Sequence, residues 1–216
     1  DWYRRGARHL VATQRGDGSW GRSVEDTAFA LLFLAKGNRP VLIQKLHWQR
    51  PRLPDAWNRN RHDLEHLSAF VGKQFGSPLT WQATRLDKPL EELRISPILF
   101  VTGHAFPRFD ADDRQKLRDY VETGGTLVFE ACCGSEAFRE GFRELAEVLF
   151  REVGKDYRLR PLPAGHPVFD SFFEISDTYG LEGIDIGCKT GVFFSPKALS
   201  VLWEMQDCVD RGTGKE

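Results

Sequence analysis

Between Pro97 and Phe150, apolar runs alternate with amphipathic stretches. ISPILFVTGH is almost continuously apolar, ADDRQKLRDYVET sets Leu117, Tyr120 and Val121 on one helical face, TLVFEA is apolar again, and EAFREGFRELAEVLF spaces Phe138, Phe142, Leu145 and Leu149 as a helix does. Strands buried on both faces and separated by helices predict a mostly parallel α/β sheet. Asp110 and Ser135 are suited to cap the two helices, and Gly124-Gly125 to end the first. Two sharp turns, Gly103-His104 and Cys132-Cys133-Gly134-Ser135, then fall at carboxyl ends of strands, where open α/β sheets place ligands. A short right-handed connection sets such strands side by side, so His104 and Cys133 are expected within reach of one substrate.

The flanking segments read less uniformly. Residues 1–38 predict two helices joined by QRGDGSWG, with Ser23 and Asp26 as a capping box and Gly37 as the stop. Residues 39–61 read as a connector. Arg39, Lys45, Arg50, Arg52, Arg59 and Arg61 face only Asp55 there, a solvated basic surface, although VLIQKLHW has the makings of a short strand with Trp48 packed on the next element. From 62 to 216 an α/β domain is expected. It comprises a helix opened by Asp63, a strand LTWQATRL, a short helix DKPLEEL and the central block. Beyond these, YRLRPL reads as an edge strand, AGHPVFDSFF as a loop with a helical turn, and IDIGCKTGVFFSP and ALSVLWEM as strands.

Composition narrows the function classes. With 41% hydrophobic and 28% charged residues the chain is an ordinary globular sequence, and 30 basic against 31 acidic side chains leave a net charge of -1. Such a balance offers no field to recruit nucleic acid, so no nucleic-acid partner is expected. No apolar run reaches the roughly 20 residues that span a bilayer. The chain opens on Asp1 inside a helical pattern and so reads as a fragment, which leaves compartment and oligomeric state unassigned. Cys132, Cys133, Cys188 and Cys208 match neither a disulfide framework nor a zinc spacing, because neighbouring cysteines in a strand point apart. Nucleotide-loop and zinc-hydrolase motifs are missing, so no cofactor and no metal are expected.

The sharpest candidate chemistry lies in Ala131-Cys132-Cys133-Gly134-Ser135. A nucleophile elbow needs small residues around a strained strand-to-helix turn, and Ala131 and Ser135 flank Cys133 in that way. The following helix would lower the thiol pKa, Glu130 or His104 would serve as base or orienting group, and the N–H groups of Gly134 and Ser135 would hold an oxyanion. His166, with Asp170, is a remote candidate partner for the thiol. Against catalysis, cysteine is among the most buried residue types, and a small residue suits any close helix–strand contact. A one-residue shift would also put Cys132 in place of Cys133. The candidate pocket comprises Gly103, His104, Glu130, Cys132, Cys133, Gly134, Ser135 and His166.

Two resemblances add to this reading. QRGDGSW, Gln14 to Trp20, resembles the QW repeat of terpenoid-cyclase and prenyltransferase-type α/α toroids, which implies that residues 1–38 are the last repeat of such a toroid. DLEHLSAFVGKQFG, LTWQ, PILFVTGH, KLRDYVETGGTLVFEACCGS, LRPLPAGHPVF, LEGIDIGCKTGV and FSPKALSVLWE together resemble a bacterial family of uncharacterised domains of unknown function. That family is similar to class I glutamine-amidotransferase-like and trehalose-utilisation-type domains, which implies a flavodoxin-like three-layer sandwich in a carbohydrate or cell-envelope setting. Ala131 and Ser135 replace the glycines around the amidotransferase cysteine, and His166-Pro167-Val168 replaces its His-x-Glu. The leading expectation is therefore a non-catalytic module that binds a small polar ligand or a protein partner. A Cys133-dependent hydrolase and a docking module for the upstream toroid are the alternatives.

Overall fold

The computed structural model describes residues 2–36, 39–49, 55–150 and 157–205. They fall into two compact units, 1–40 and 41–216. The first is a helical hairpin of α1 (Trp2–Thr13) and α2 (Val24–Lys36). Asp26 accepts from the Ser23 N–H while the Ser23 hydroxyl accepts from the Asp26 N–H, so the expected capping box forms. The connecting turn is fastened twice. Gln14 Nε2 donates to Gly18 O at 3.0 Å, and the indole of Trp20 donates to Leu10 O at 2.6 Å. Gly37 lies outside the described residues.

The second unit is an α/β sheet. Its elements are β1 (Val41–Leu46), α3 (Asp63–Gln74), β2 (Thr80–Thr84), α4 (Leu90–Leu93), β3 (Ile98–Gly103), α5 (Ala111–Glu122), β4 (Thr126–Ala131), α6 (Glu136–Leu149), β5 (Arg160–Pro161), β6 (Glu182–Ile186), β7 (Lys189–Ser195) and α7 (Ser200–Glu204). The strand order is β2-β1-β3-β4-β7-β6-β5. All pairings from β2 to β7 are parallel, while β6 runs antiparallel to both β7 and β5.

Period-two alternation decides what each face meets. Leu99, Val101, Leu127, Phe129, Val192 and Phe194 enter the larger core with Leu117, Tyr120, Phe138 and Phe142 of α5 and α6. Ile43 and Phe100 point the other way, where Leu64 of α3 and Trp203 of α7 cover them. Both predicted caps form. Asp110 makes a reciprocal capping box with Asp113, and the Ser135 hydroxyl accepts from Phe138 N. Gly124 turns the chain at φ 108°, and a side chain on Gly125 would sit 2.4 Å from the Tyr120 ring.

Four expectations are corrected. Residues 39–61 are not simply a connector, because Val41–Leu46 pairs with β2 on one side and β3 on the other. Lys45 in that strand is buried instead of belonging to a solvated basic face. ALSVLWEM carries the helix α7, since a short apolar run has no period long enough to separate strand from helix. IDIGCKTGVFFSP is likewise two strands, folded back at Gly187 with φ 66°. YRLRPL does supply an edge strand, and AGHPVFDSFF a short helical turn at Pro167–Phe169.

Candidate functional site

Parallel register brings the two predicted turns together. Thr102 pairs with Glu130 and Gly103 with Ala131, so His104 and Cys132 are the next residues out along the same edge. The Ser135 hydroxyl donates to His104 O at 2.5 Å and ties one turn to the other. Gly103 leaves no room for a side chain, because a Cβ there would lie 2.6 Å from the Trp48 ring. Trp48, buried just beyond the end of β1, places its indole N–H on Thr102 O at 3.1 Å.

After β4 the chain makes a single 3-10 turn over Cys132–Gly134 before Ser135 caps α6. Cys133 sits at φ 54°, ψ 23°, a left-handed conformation rare for a residue with a Cβ. Its side chain is exposed, whereas Cys132 is buried. The turn cancels the strand alternation that would have parted the two thiols, and their sulfurs lie 3.9 Å apart. His104 faces them, with its nearest ring nitrogen and both sulfurs within 4.8 Å of one another. Burial pushes the Cys132 thiol up to about 12, helped by the neighbouring Cys133 and Glu130. Cys133, not Cys132, is therefore the thiol presented to solvent.

The remaining predicted residues do not assemble around that thiol. Glu130 is fully buried, and its carboxylate accepts from Ser200 N at 2.9 Å, from Ser200 Oγ at 2.7 Å and from Thr102 Oγ1 at 3.4 Å. It anchors the start of α7 and makes no bond to Cys133. The Ser135 N–H, an expected oxyanion donor, is spent on Cys132 O at 3.2 Å. His166 belongs to the opposite edge of the sheet. Its Nδ1 accepts from Val168 N, so the proton sits on Nε2, 2.9 Å from Thr190 Oγ1. Thr190 precedes Val192, the partner of Leu127, which puts it at the amino end of β4 and about 20 Å along the strands from the cysteine turn. His166 fixes its own loop there, and both its placement in the pocket and its pairing with Cys133 are corrected.

Beneath the turns lies a polar cluster that sequence reasoning missed. Lys45, Thr102, Glu130 and Ser195 alternate onto the face covered by α3 and α7. Lys45 Nζ donates to Asp63 Oδ2 at 2.7 Å, Asn58 Oδ1 at 2.8 Å and Asn60 O at 2.9 Å. Asn60 Nδ2 continues to Ser200 Oγ at 2.7 Å, and through Ser200 the chain of bonds reaches Glu130. Burial moves Lys45 down and Asp63 and Glu130 up from their ordinary values. The one signal in the sequence was a lysine inside the apolar run VLIQKL. Nothing nearby indicated its partner 18 positions away.

Ser135 joins this geometry to stability. Ser135→Ala removes the cap of α6 and the bond to His104 O, and about 1 kcal/mol of unfolding free energy is expected to go with them. Denaturant titration of both proteins measures the difference, and an unchanged midpoint would contradict the capping role.

The second unit is thus a mostly parallel α/β domain with a thiol and an imidazole exposed at its carboxyl edge. The family model for a domain of unknown function (DUF4159) matches residues 43–208, and the chain belongs to that family. No curated protein matches it. Among the described residues no helix is long and apolar enough to cross a membrane.

Proposed function

We propose that this domain is a non-catalytic binding module that takes a small polar ligand at the edge formed by His104, Cys133 and Ser135. One observation carries the reading. The exposed Cys133 thiol and His104 stand together above a network whose buried polar groups already have partners, while the acid, the second histidine and one oxyanion donor that a thiol hydrolase would use are engaged elsewhere. A binding edge needs rigid support and accessible donors, and both are present.

The finer fold assignment belongs to the same reading. Strand order β2-β1-β3-β4 followed by a fifth parallel strand supports a flavodoxin-like sandwich of the glutamine-amidotransferase-like kind. The Gln14 and Trp20 bonds that close the hairpin turn support a QW-type repeat from a toroid. A carbohydrate-related ligand and a cell-envelope setting rest on the family resemblance.

Protection of Cys133 from alkylation tests the proposal. Native protein is treated with iodoacetamide in the presence of a panel of sugars, sugar acids and amino acids, and each cysteine is read by peptide mass spectrometry. A ligand that slows Cys133 and leaves the exposed Cys188 unaffected is the expected result, and His104→Ala should abolish the protection. Turnover of an amide or ester probe that stops in Cys133→Ser would instead establish the hydrolase.

A further inference from the structure

We infer that the ligand held at this edge is a thiophilic transition-metal ion, bound by Cys132, Cys133 and His104 as a three-ligand site with one position open. The inference rests on the binding-module reading and supplies its ligand class. Two thiolates on a tetrahedral ion, each about 2.3 Å from the metal, lie about 3.8 Å apart. The two sulfurs here are separated by 3.9 Å. The turn that sets the adjacent cysteines at that spacing holds Cys133 at φ 54°, so the backbone departure and the ligand geometry occur in one feature.

The third ligand comes from a different strand. His104 follows β3, and the hydrogen bond from Ser135 Oγ to its carbonyl oxygen fixes its turn against the cysteine turn. A ring nitrogen within 4.8 Å of both sulfurs needs about 1 Å of side-chain adjustment to complete the set, and His104 is exposed and free to make it. Charge also fits. A divalent ion with two thiolates and a neutral imidazole has no net charge, so it adds no charge above the buried carboxyl of Glu130. Sulfur and imidazole donors favour zinc or copper and disfavour magnesium and calcium. The open fourth position, on the solvent side with Cys133, would be taken by water or an anionic group.

The full chain, reduced and stripped of metal, is titrated with cobalt(II) and then zinc(II). One cobalt per chain, with a thiolate-to-cobalt charge-transfer band that zinc abolishes, is expected. Cys133→Ser and His104→Ala, both at exposed positions, should each weaken binding by about tenfold or more, while Cys188→Ser should leave it unchanged. Unchanged thermal midpoints of the metal-free variants would show that they fold. A Cys133→Ser protein that binds cobalt as tightly as the wild type overturns the assignment, and so does the lack of any band in the wild type. If no band forms but an organic ligand still protects Cys133 from alkylation, the metal falls and the binding module stands. If neither metal nor organic ligand protects Cys133, both fall.

Discussion

Lys45→Met is expected to lower the unfolding free energy by about 3–5 kcal/mol, because it leaves the Asp63 carboxylate buried without its cation. Lys45 and Asp63 are both fully buried, and the ammonium also satisfies Asn58 Oδ1 and Asn60 O. The pair itself adds little net stability, since burial holds Lys45 below and Asp63 above their ordinary values. Breaking it is what costs. Lys45→Met combined with Asp63→Asn, which removes the charge and keeps an acceptor for the Leu64 N–H, should therefore recover at least half of the loss. A carboxyl whose folded pKa is raised binds its proton more tightly in the folded state, so its favourable contribution is present at low pH and is lost as pH rises through that folded value. Without Lys45 the Asp63 value rises further, and the gap between wild type and Lys45→Met should narrow as pH is lowered from about 8 to about 5. Chemical denaturation at both pH values checks this. A gap that widens in acid would mean that Asp63 is not the group left uncompensated.

The same buried cluster marks where sequence reading stops. Local signals served well where one element carried its own information. The capping residues Asp110 and Ser135, the Gly124-Gly125 stop and the helical spacing of Phe138, Phe142 and Leu145 needed no distant partner. The two turns at the carboxyl edge were legible for the same reason, since strand, helix and strand in succession imply adjacent parallel strands. Lys45 was misplaced because its environment comes from Asp63, Asn58 and Asn60, and from a sheet position between β2 and β3 that no local pattern discloses. The α7 segment was misread because five residues do not complete two helical turns, so their apolar run had no period to measure. His166 was drawn toward Cys133 by the chemistry of cysteine–histidine pairs, although its loop joins the sheet at the amino edge. Strand geometry predicts that the adjacent cysteines point apart, and the single left-handed residue Cys133 instead leaves their sulfurs 3.9 Å from each other.

Glu130→Ala should cost about 3 kcal/mol or more, since it strands Ser200 N, Ser200 Oγ and Thr102 Oγ1 in the interior, and each buried donor left without an acceptor costs about 1–3 kcal/mol. The loss should centre on α7, whose first residue is Ser200, and should reach α3 through the Asn60–Ser200 bond and the bond from His62 N to Glu204. Hydrogen exchange would then show both segments opening earlier than β3 and β4. Glu130→Gln keeps the shape and one acceptor oxygen, so its loss should be clearly smaller. The pair of variants also separates an anchoring role from a catalytic one. If Glu130 only anchors α7, the folded Glu130→Gln protein should alkylate at Cys133 as fast as wild type. If Glu130 serves the thiol as a base, that rate at neutral pH should fall even though the protein remains folded. The second outcome would return Glu130 to the reactive site, and the first would leave the Cys133 edge resting on a support whose acid has no chemistry of its own.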